Sequence, residues 1–191
     1  MKTLGEIDNI IEKCPNDFFF PKIIHQVWLT DTGKSPPIAW EKASMQWQTL
    51  HPGWIYIRWT NEIAKELIST LGEKFIKCYN KYPYLIQRCE AVRYAALYRY
   101  GGMYVDMDTC PRENIEKHFN HKSEVWLCKY YYPTIDFITD YMSKLNNDMM
   151  IAQPKSKFFE EMLNEIQKPS PWWALGKVLN VSASIHVRSG R

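Results

Sequence analysis

Two aspartates one residue apart, Asp106 and Asp108, close the segment Gly101-Gly102-Met103-Tyr104-Val105-Asp106-Met107-Asp108. The segment alternates in polarity, and on a strand residues i and i+2 share a face. Met103, Val105 and Met107 therefore turn into packing, while Tyr104, Asp106 and Asp108 point the other way. Two carboxylates on one face repel each other, and each is costly to bury alone. A divalent cation resolves both problems, and oxygen-only ligands suit Mn²⁺ or Mg²⁺. Such an ion can hold a diphosphate and neutralise its charge as it leaves. The competing reading is a pair of exposed acids on an edge strand or turn. Just upstream, Glu90 and Arg93 stand three residues apart on a predicted helix and so share neighbouring surface. The glycine pair returns the chain from that helix straight into the acidic strand, which delivers a carboxylate and a guanidinium close to the Asp pair. The bland alternative is an exposed i,i+3 salt bridge, worth little.

The order of these residues resembles the signature of glycosyltransferase family 32. Arg88-Cys89-Glu90-Ala91-Val92-Arg93-Tyr94 leads through Leu97-Tyr98-Arg99-Tyr100-Gly101-Gly102 to the D-x-D at 106–108. That is the family's carboxylate, two residues, Arg-Tyr, Leu-Tyr, Gly-Gly, aromatic and D-x-D. Pro21-Lys22-Ile23-Ile24-His25-Gln26-Val27-Trp28 is similar to the family's opening strand. Trp47, Pro52, Trp54 and Trp59 match its Trp-rich second unit, and the stretch Asn146 to Pro154 resembles a later asparagine–strand block. The likeness covers about residues 21–160.

The resemblance implies one nucleotide-sugar-binding α/β domain of the GT-A type spanning 1–191, with three layers around a mostly parallel sheet. It implies a Mn²⁺ or Mg²⁺ bridge to the donor diphosphate and transfer with retention at the anomeric carbon, the departing diphosphate assisting the acceptor. Carried over, Asp108 is the direct metal ligand and Asp106 contacts the ribose and the metal shell. Glu90 and Arg93 contact the donor sugar or ribose, and Trp28 packs against the nucleobase. Gly102 and Asn147 complete the donor-binding set. Ala183-Ser184-Ile185-His186-Val187 resembles the family's terminal His strand and makes His186 a third metal ligand. No residue is named as catalytic base. The implied donor is a UDP- or GDP-linked hexose, and the acceptor a glycan, lipid-linked or protein hydroxyl. Two positions depart from the family pattern: Glu90 stands where Asp is usual, and Arg188 where a Trp often follows the terminal His.

The elements that must position these groups read as follows. The first 20 residues form a short helix and an apolar patch, Phe18-Phe19-Phe20. Residues 22–29 form a buried strand, 38–50 a helix with Trp40, Ala43, Trp47 and Leu50 on one face, and 54–59 a second strand. Asn61 caps a helix over 62–71 that stops at Gly72. Leu85 to Tyr100 is the strongest helix, with Leu85, Ile86, Cys89, Val92, Ala95 and Ala96 on its apolar face. A strand over 103–109 follows, then strands at 125–131 and 149–152 and helices at 136–145 and 157–167. Strands alternating with helices argue for α/β layers around a parallel sheet.

Composition removes several classes. The 191 residues carry a net charge of +3, 46% hydrophobic and 24% charged residues, a globular balance without the clustered base of a nucleic-acid binder. No apolar run approaches the ~20 residues of a membrane helix. The N-terminal residues carry Glu6, Asp8, Glu12 and Lys13 and no signal-peptide core, so a cytoplasmic location is expected. Five scattered cysteines without CxxC spacing fit free thiols rather than a zinc site or disulfide framework. His118 and His121 read as a solvated pair, and the tyrosines at 130–132 as ordinary strand residues or a sugar platform. Trp172-Trp173 caps a donor pocket or docks the tail. Three functions compete: a metal-dependent retaining glycosyltransferase, a non-catalytic relic that binds nucleotide sugar or glycan, and a metal-dependent phosphodiesterase. The last would need more acidic ligands or a catalytic His near the pair, and a basic groove, which are not visible in the sequence.

Overall fold

In the computed structural model the described residues are 3–13, 18–129 and 145–168. In chain order they form α1 (Leu4–Glu12), β1 (Ile23–Val27), α2 (Ile38–Leu50), β2 (Ile55–Trp59), α3 (Asn61–Ser69) and α4 (Glu73–Lys81). Then follow α5 (Leu85–Tyr100), β3 (Gly102–Val105), a 3-10 turn at Ile115–His118, β4 (Val125–Lys129), β5 (Leu145–Ala152) and α6 (Lys157–Glu165). The segment expected as a helix at 136–145 lies outside the described residues, except that Leu145 already belongs to β5. The expected strand around His186 lies outside them too.

The sheet order is β2-β1-β3-β5-β4. β1 pairs in parallel with β2 and β3, and β5 runs antiparallel to both β3 and β4, so four of the five strands share one direction. Alternation divides the core in two. On one side Ile23, Val27, Ile57, Trp59 and Tyr104 pack with α3, α5 and α6. On the other, Ile24, Met103, Val105 and Ile151 pack with Phe20 and Trp47, the latter from α2. From β1 the chain crosses by α2 to β2, then returns by α3, α4 and α5 to β3 on the far side of β1. Two right-handed crossovers in opposite directions put their helices on opposite faces, which is the three-layer α/β arrangement expected. The strand order therefore reverses between β1 and β3, and in open α/β sheets ligands bind at such a switch point, outside the carboxyl ends of the strands.

Two expectations on the elements are corrected, and one helix is added where the sequence carried no assignment. The stretch over 73–81 forms α4 (nine residues): its N-cap is Gly72 at φ 91, with no side-chain cap bond, and only Phe75 and Tyr79 are buried. The cap of α3 is Thr60 rather than Asn61. Asn61 instead clamps the loop after β1, accepting from the Thr30 N–H at 2.9 Å and donating to the Thr30 carbonyl at 2.8 Å. Ile86, placed on the apolar face of α5, is 54% exposed, because the buried part of α5 starts one turn later, at Ala91.

The glycine pair is a packing device. Gly101 and Gly102 have φ of 65° and 87°. A Cβ on Gly101 would lie 2.6 Å from the Pro154 nitrogen, and one on Gly102 2.7 Å from the Ile23 carbonyl oxygen. Beside them His25 is fully buried; its Nδ1 accepts from Trp59 Nε1 at 3.2 Å, so its Nε2–H donates to the Gly101 carbonyl at 2.8 Å. Burial lowers the His25 pKa to about 4, although the Gly101 bond acts against it, and the ring stays neutral.

Candidate functional site

Strand β3 ends at Val105, so the D-x-D is not a strand continuation. Asp106 leaves the sheet, and its carbonyl accepts from the Thr109 N–H at 3.2 Å and from Thr109 Oγ1 at 2.7 Å, which closes a turn. Tyr104 and Asp106 still share a face, as their spacing requires: the Tyr104 hydroxyl donates to Asp106 Oδ1 at 2.5 Å. Asp108 lies within the turn and is exposed, while Met107 before it is buried.

Behind Asp106 stands a buried polar cluster. Arg93 projects from the middle of α5 with a side chain only 5% exposed; its Nη2 is 3.3 Å from Asp106 Oδ1 and 3.3 Å from Glu90 Oε1. Its Nη1 donates to the Asn147 carbonyl at 3.0 Å, and its guanidinium lies 4.6 Å from the Tyr104 ring centroid. Glu90, 13% exposed, uses its other oxygen as well: Oε2 accepts from the Tyr94 hydroxyl and from Asn147 Nδ2, both at 2.9 Å. The exposed-bridge alternative for Glu90 and Arg93 therefore fails. Helix geometry puts Glu90, Arg93 and Tyr94 on adjacent surface, and β5, entering antiparallel to β3, brings Asn147 to the same end of the sheet.

The charges are balanced closely. Burial raises the Glu90 pKa, with Arg93 and the Tyr94 hydrogen bond acting against it. Burial also raises Asp106; Arg93 and Tyr104 pull it down, and the charges of Asp108 and Asp148 push it up again. Burial works against the charge on Arg93, but Tyr104, Glu90 and Asp106 outweigh it and raise its pKa. The arrangement leaves a guanidinium fixing one oxygen of Asp106, while the Asp106 side chain is still 30% exposed. Beside it the exposed Asp108 and the nearby charge of Asp148 make a group of acids that a hard divalent cation would relieve. The oxygen donors present fit such an ion. Among the described residues, no three His, Cys, Asp or Glu are gathered as a preformed metal cage, so such an ion would draw further ligands from its substrate.

Of the residues singled out from sequence, Glu90, Arg93, Asp106 and Asn147 meet in this one network, with Asp108 at its mouth. Trp28 follows β1, at the same switch point. It is half-buried, edge-on to Trp40 at 5.7 Å, and donates from Nε1 to the Lys34 carbonyl at 3.0 Å. A cleft of about 200 Å³ opens nearby, lined by Leu29, Asp31, Asn61, Lys65, Leu85 and Arg88 among others. Gly102 sits at the opposite end of β3, where packing against Ile23 accounts for the glycine. His186 lies outside the described residues. Sequence reasoning missed Tyr94 and Asp148. Tyr94 stands four residues after Glu90 on a helix, a spacing that was available as a signal; Asp148 becomes visible only through the pairing that sets the Asp106 N–H on its carbonyl at 2.8 Å.

Comparison with known proteins finds relatives of sequence and of fold. Residues 37–127 match the model of the family described as "Glycosyltransferase sugar-binding region containing DXD motif". The chain is 32% identical over 148 residues to "Inositol phosphoceramide mannosyltransferase 2" of Schizosaccharomyces pombe, covering 78% of this chain and 39% of that protein. It is 31% identical over 160 residues to "Mannosyl phosphorylinositol ceramide synthase SUR1" of Saccharomyces cerevisiae, covering 83% of this chain and 38% of the relative. The chain thus spans well under half the length of these relatives. Its fold is similar to that of the solved "PaToxG Glycosyltransferase", with a TM-score of 0.54 at 13% identity, over 94% of this chain and 79% of the other. No helix among the described residues is long and apolar enough to cross a membrane. The region that carries the D-x-D turn is thus similar to the glycosyltransferases with a DXD-containing sugar-binding region.

Proposed function

We propose that this chain transfers a hexose, mannose first among the candidates, from a nucleoside-diphosphate sugar to a hydroxyl of a lipid-linked acceptor, with retention of anomeric configuration. The observation that carries the reading is the division of labour in the D-x-D turn. Asp106 is fixed by Arg93 and Tyr104, and Asp108 is left exposed beside it at the sheet's switch point. The mannosyl and inositol phosphoceramide names belong to the relatives; they supply the donor sugar and acceptor class to try first.

In this reading Asp108, with the free oxygen of Asp106, holds Mn²⁺ or Mg²⁺, which when bound neutralises charge on the donor diphosphate. Arg93 stays charged and holds Asp106 in one rotamer. Glu90 acts through Arg93 and Asn147, since both its oxygens are occupied by protein donors. The C1–O bond to the diphosphate breaks, the acceptor oxygen bonds to C1 on the same face, and the hydroxyl proton leaves to a diphosphate oxygen. Trp28 and the cleft beside it lie on the nucleoside side.

The test is to incubate the protein with GDP- and UDP-hexoses, Mn²⁺ and an inositol-phosphate lipid, measuring released nucleotide and the anomeric configuration of the first product by NMR. Mn²⁺-dependent release with retention supports the reading. Binding without turnover marks a donor-binding relic, and inversion removes the retaining mechanism.

A further inference from the structure

The turn that carries Asp106 and Asp108 is held from two layers. From the α5 side its carboxylate is fixed, as described. From the α2 side its main chain is fixed. The Asp106 carbonyl accepts from Gln26 Nε2 at 3.4 Å in addition to its two bonds from Thr109, and the Thr109 carbonyl accepts from Trp47 Nε1 of α2 at 3.0 Å. Gln26 is fully buried in β1, in the layer where its neighbours Ile24 and Met103 are apolar. A primary amide in such a place is costly unless bonded at both ends.

Both ends are bonded, and the bonding sets the direction. The Tyr56 hydroxyl donates to Gln26 Oε1 at 2.7 Å, so the amide nitrogen faces Asp106. Tyr56 in turn accepts from Arg58 Nε at 3.2 Å, which leaves its own proton for Gln26. Arg58 is held by a two-pronged pair with Glu41 of α2, both contacts 2.7 Å. The result is one line of donors, Glu41 ← Arg58 → Tyr56 → Gln26 → Asp106, running from α2 across β2 and β1 to the end of β3.

We infer that Gln26 is a positioning residue for the D-x-D turn, oriented by Tyr56 and Arg58. The proposal rests on the donor-site reading above for its consequence, since a displacement near 1 Å in such a site can cost on the order of 10²-fold. It does not rest on that reading for the contact itself.

Gln26→Glu keeps the size and shape of the side chain but turns the group facing the Asp106 carbonyl from donor to acceptor. Tyr56→Phe removes the orienting bond, together with the Arg58 Nε contact on the same hydroxyl, and serves if Gln26→Glu does not fold. Two readouts apply: amide hydrogen exchange over 104–110, and Mn²⁺ affinity by paramagnetic resonance, alone and with GDP or UDP. For Gln26→Glu the expected result is at least tenfold faster exchange at the Thr109 amide and at least fivefold weaker Mn²⁺ binding, with exchange in α5 unchanged. Tyr56→Phe should shift both in the same direction by less. Unchanged exchange at Thr109 overturns the proposal. So does faster exchange with undiminished Mn²⁺ affinity, and so does a uniform loss of protection that includes α5. If the unaltered protein binds no Mn²⁺, the metal reading fails, and the exchange result still decides whether Gln26 positions the turn.

Discussion

Eight consecutive residues, Gly101 to Asp108, contain two regions that a motif treats as one. At the glycine end, both residues are buried. Pro154 and Ile23 fill the space of the missing Cβ atoms, and His25 takes the Gly101 carbonyl. At the acidic end, the chain spends a buried arginine, a tyrosine and a glutamate to fix Asp106 and then leaves Asp108 in solvent. The first region is saturated and the second is deliberately unsaturated. Residues of one motif can therefore be needed for opposite physical reasons, and only the open end has room for a ligand.

The sharpest way to break the contrast is to remove Arg93. Arg93→Met leaves Glu90 and Asp106 as uncompensated charges behind the site, and loss of one partner from a buried ion pair costs about 3–5 kcal/mol. Urea unfolding at pH 7 checks this; a loss under 1 kcal/mol would mean that the cluster is solvated and the Asp106 carboxylate is not held. At the glycine end, Gly102→Ala must place a side chain at φ 87 against the Ile23 carbonyl. Backbone strain and overpacking together should destabilise by about 2–4 kcal/mol, while Mn²⁺ affinity of the folded fraction stays unchanged. A specific loss of Mn²⁺ or donor affinity would instead return Gly102 to the donor site.

Acid tests the saturated end in a second way. His25 has a folded pKa lowered from 6.5 to about 4. The unfolded chain binds a proton below 6.5 that the native protein refuses, so this residue's contribution is complete above 6.5 and is lost as pH falls toward 4. The loss is roughly 3 kcal/mol between pH 7 and 4. The imidazole resonances of His25 should not titrate between pH 7.5 and 5; a midpoint near 6.5 would contradict its burial.

Glu90 gives the smaller and opposite slope. Its pKa is raised by burial, so the native protein holds this proton more tightly than the unfolded chain, and the contribution declines as pH rises through the carboxylate range. Glu90→Gln should therefore gain on the unaltered protein in urea midpoint between pH 4 and 7. It should also lose about tenfold in donor binding or turnover, about 1.4 kcal/mol. Glu90→Asp should not raise turnover, because it withdraws the carboxylate from Arg93, Tyr94 and Asn147 together; a strong rise would mark a degraded site.

The helices over 38–50 and 85–100 were legible to the residue, because each is a long run without Gly or Pro that ends at a terminator, Pro52-Gly53 after the first and Gly101-Gly102 after the second. Helix α4 was not, although Phe75, Ile76 and Tyr79 stand at helical spacing on one face, because it is only nine residues long and no side chain caps its start. Alternation placed Tyr104 and Asp106 on one face but could not show the chain turning after Val105. That turn depends on Thr109, Gln26 and β5, the last two distant in sequence. The burial of Arg93 was hidden for a related reason. Helix α5 is buried on several sides from Ala91 to Leu97, so polarity there reports a partner across the fold rather than solvent.

The central claim is that Asp106 belongs to the protein and Asp108 to the ligand. Asp108→Asn tests it most directly, with Mn²⁺-dependent nucleotide release and urea unfolding measured on the same preparation. An exposed side chain outside the buried cluster should change stability by no more than about 0.5 kcal/mol. The account predicts that this folded protein loses Mn²⁺-dependent turnover. Full turnover in a folded Asp108→Asn protein would contradict it.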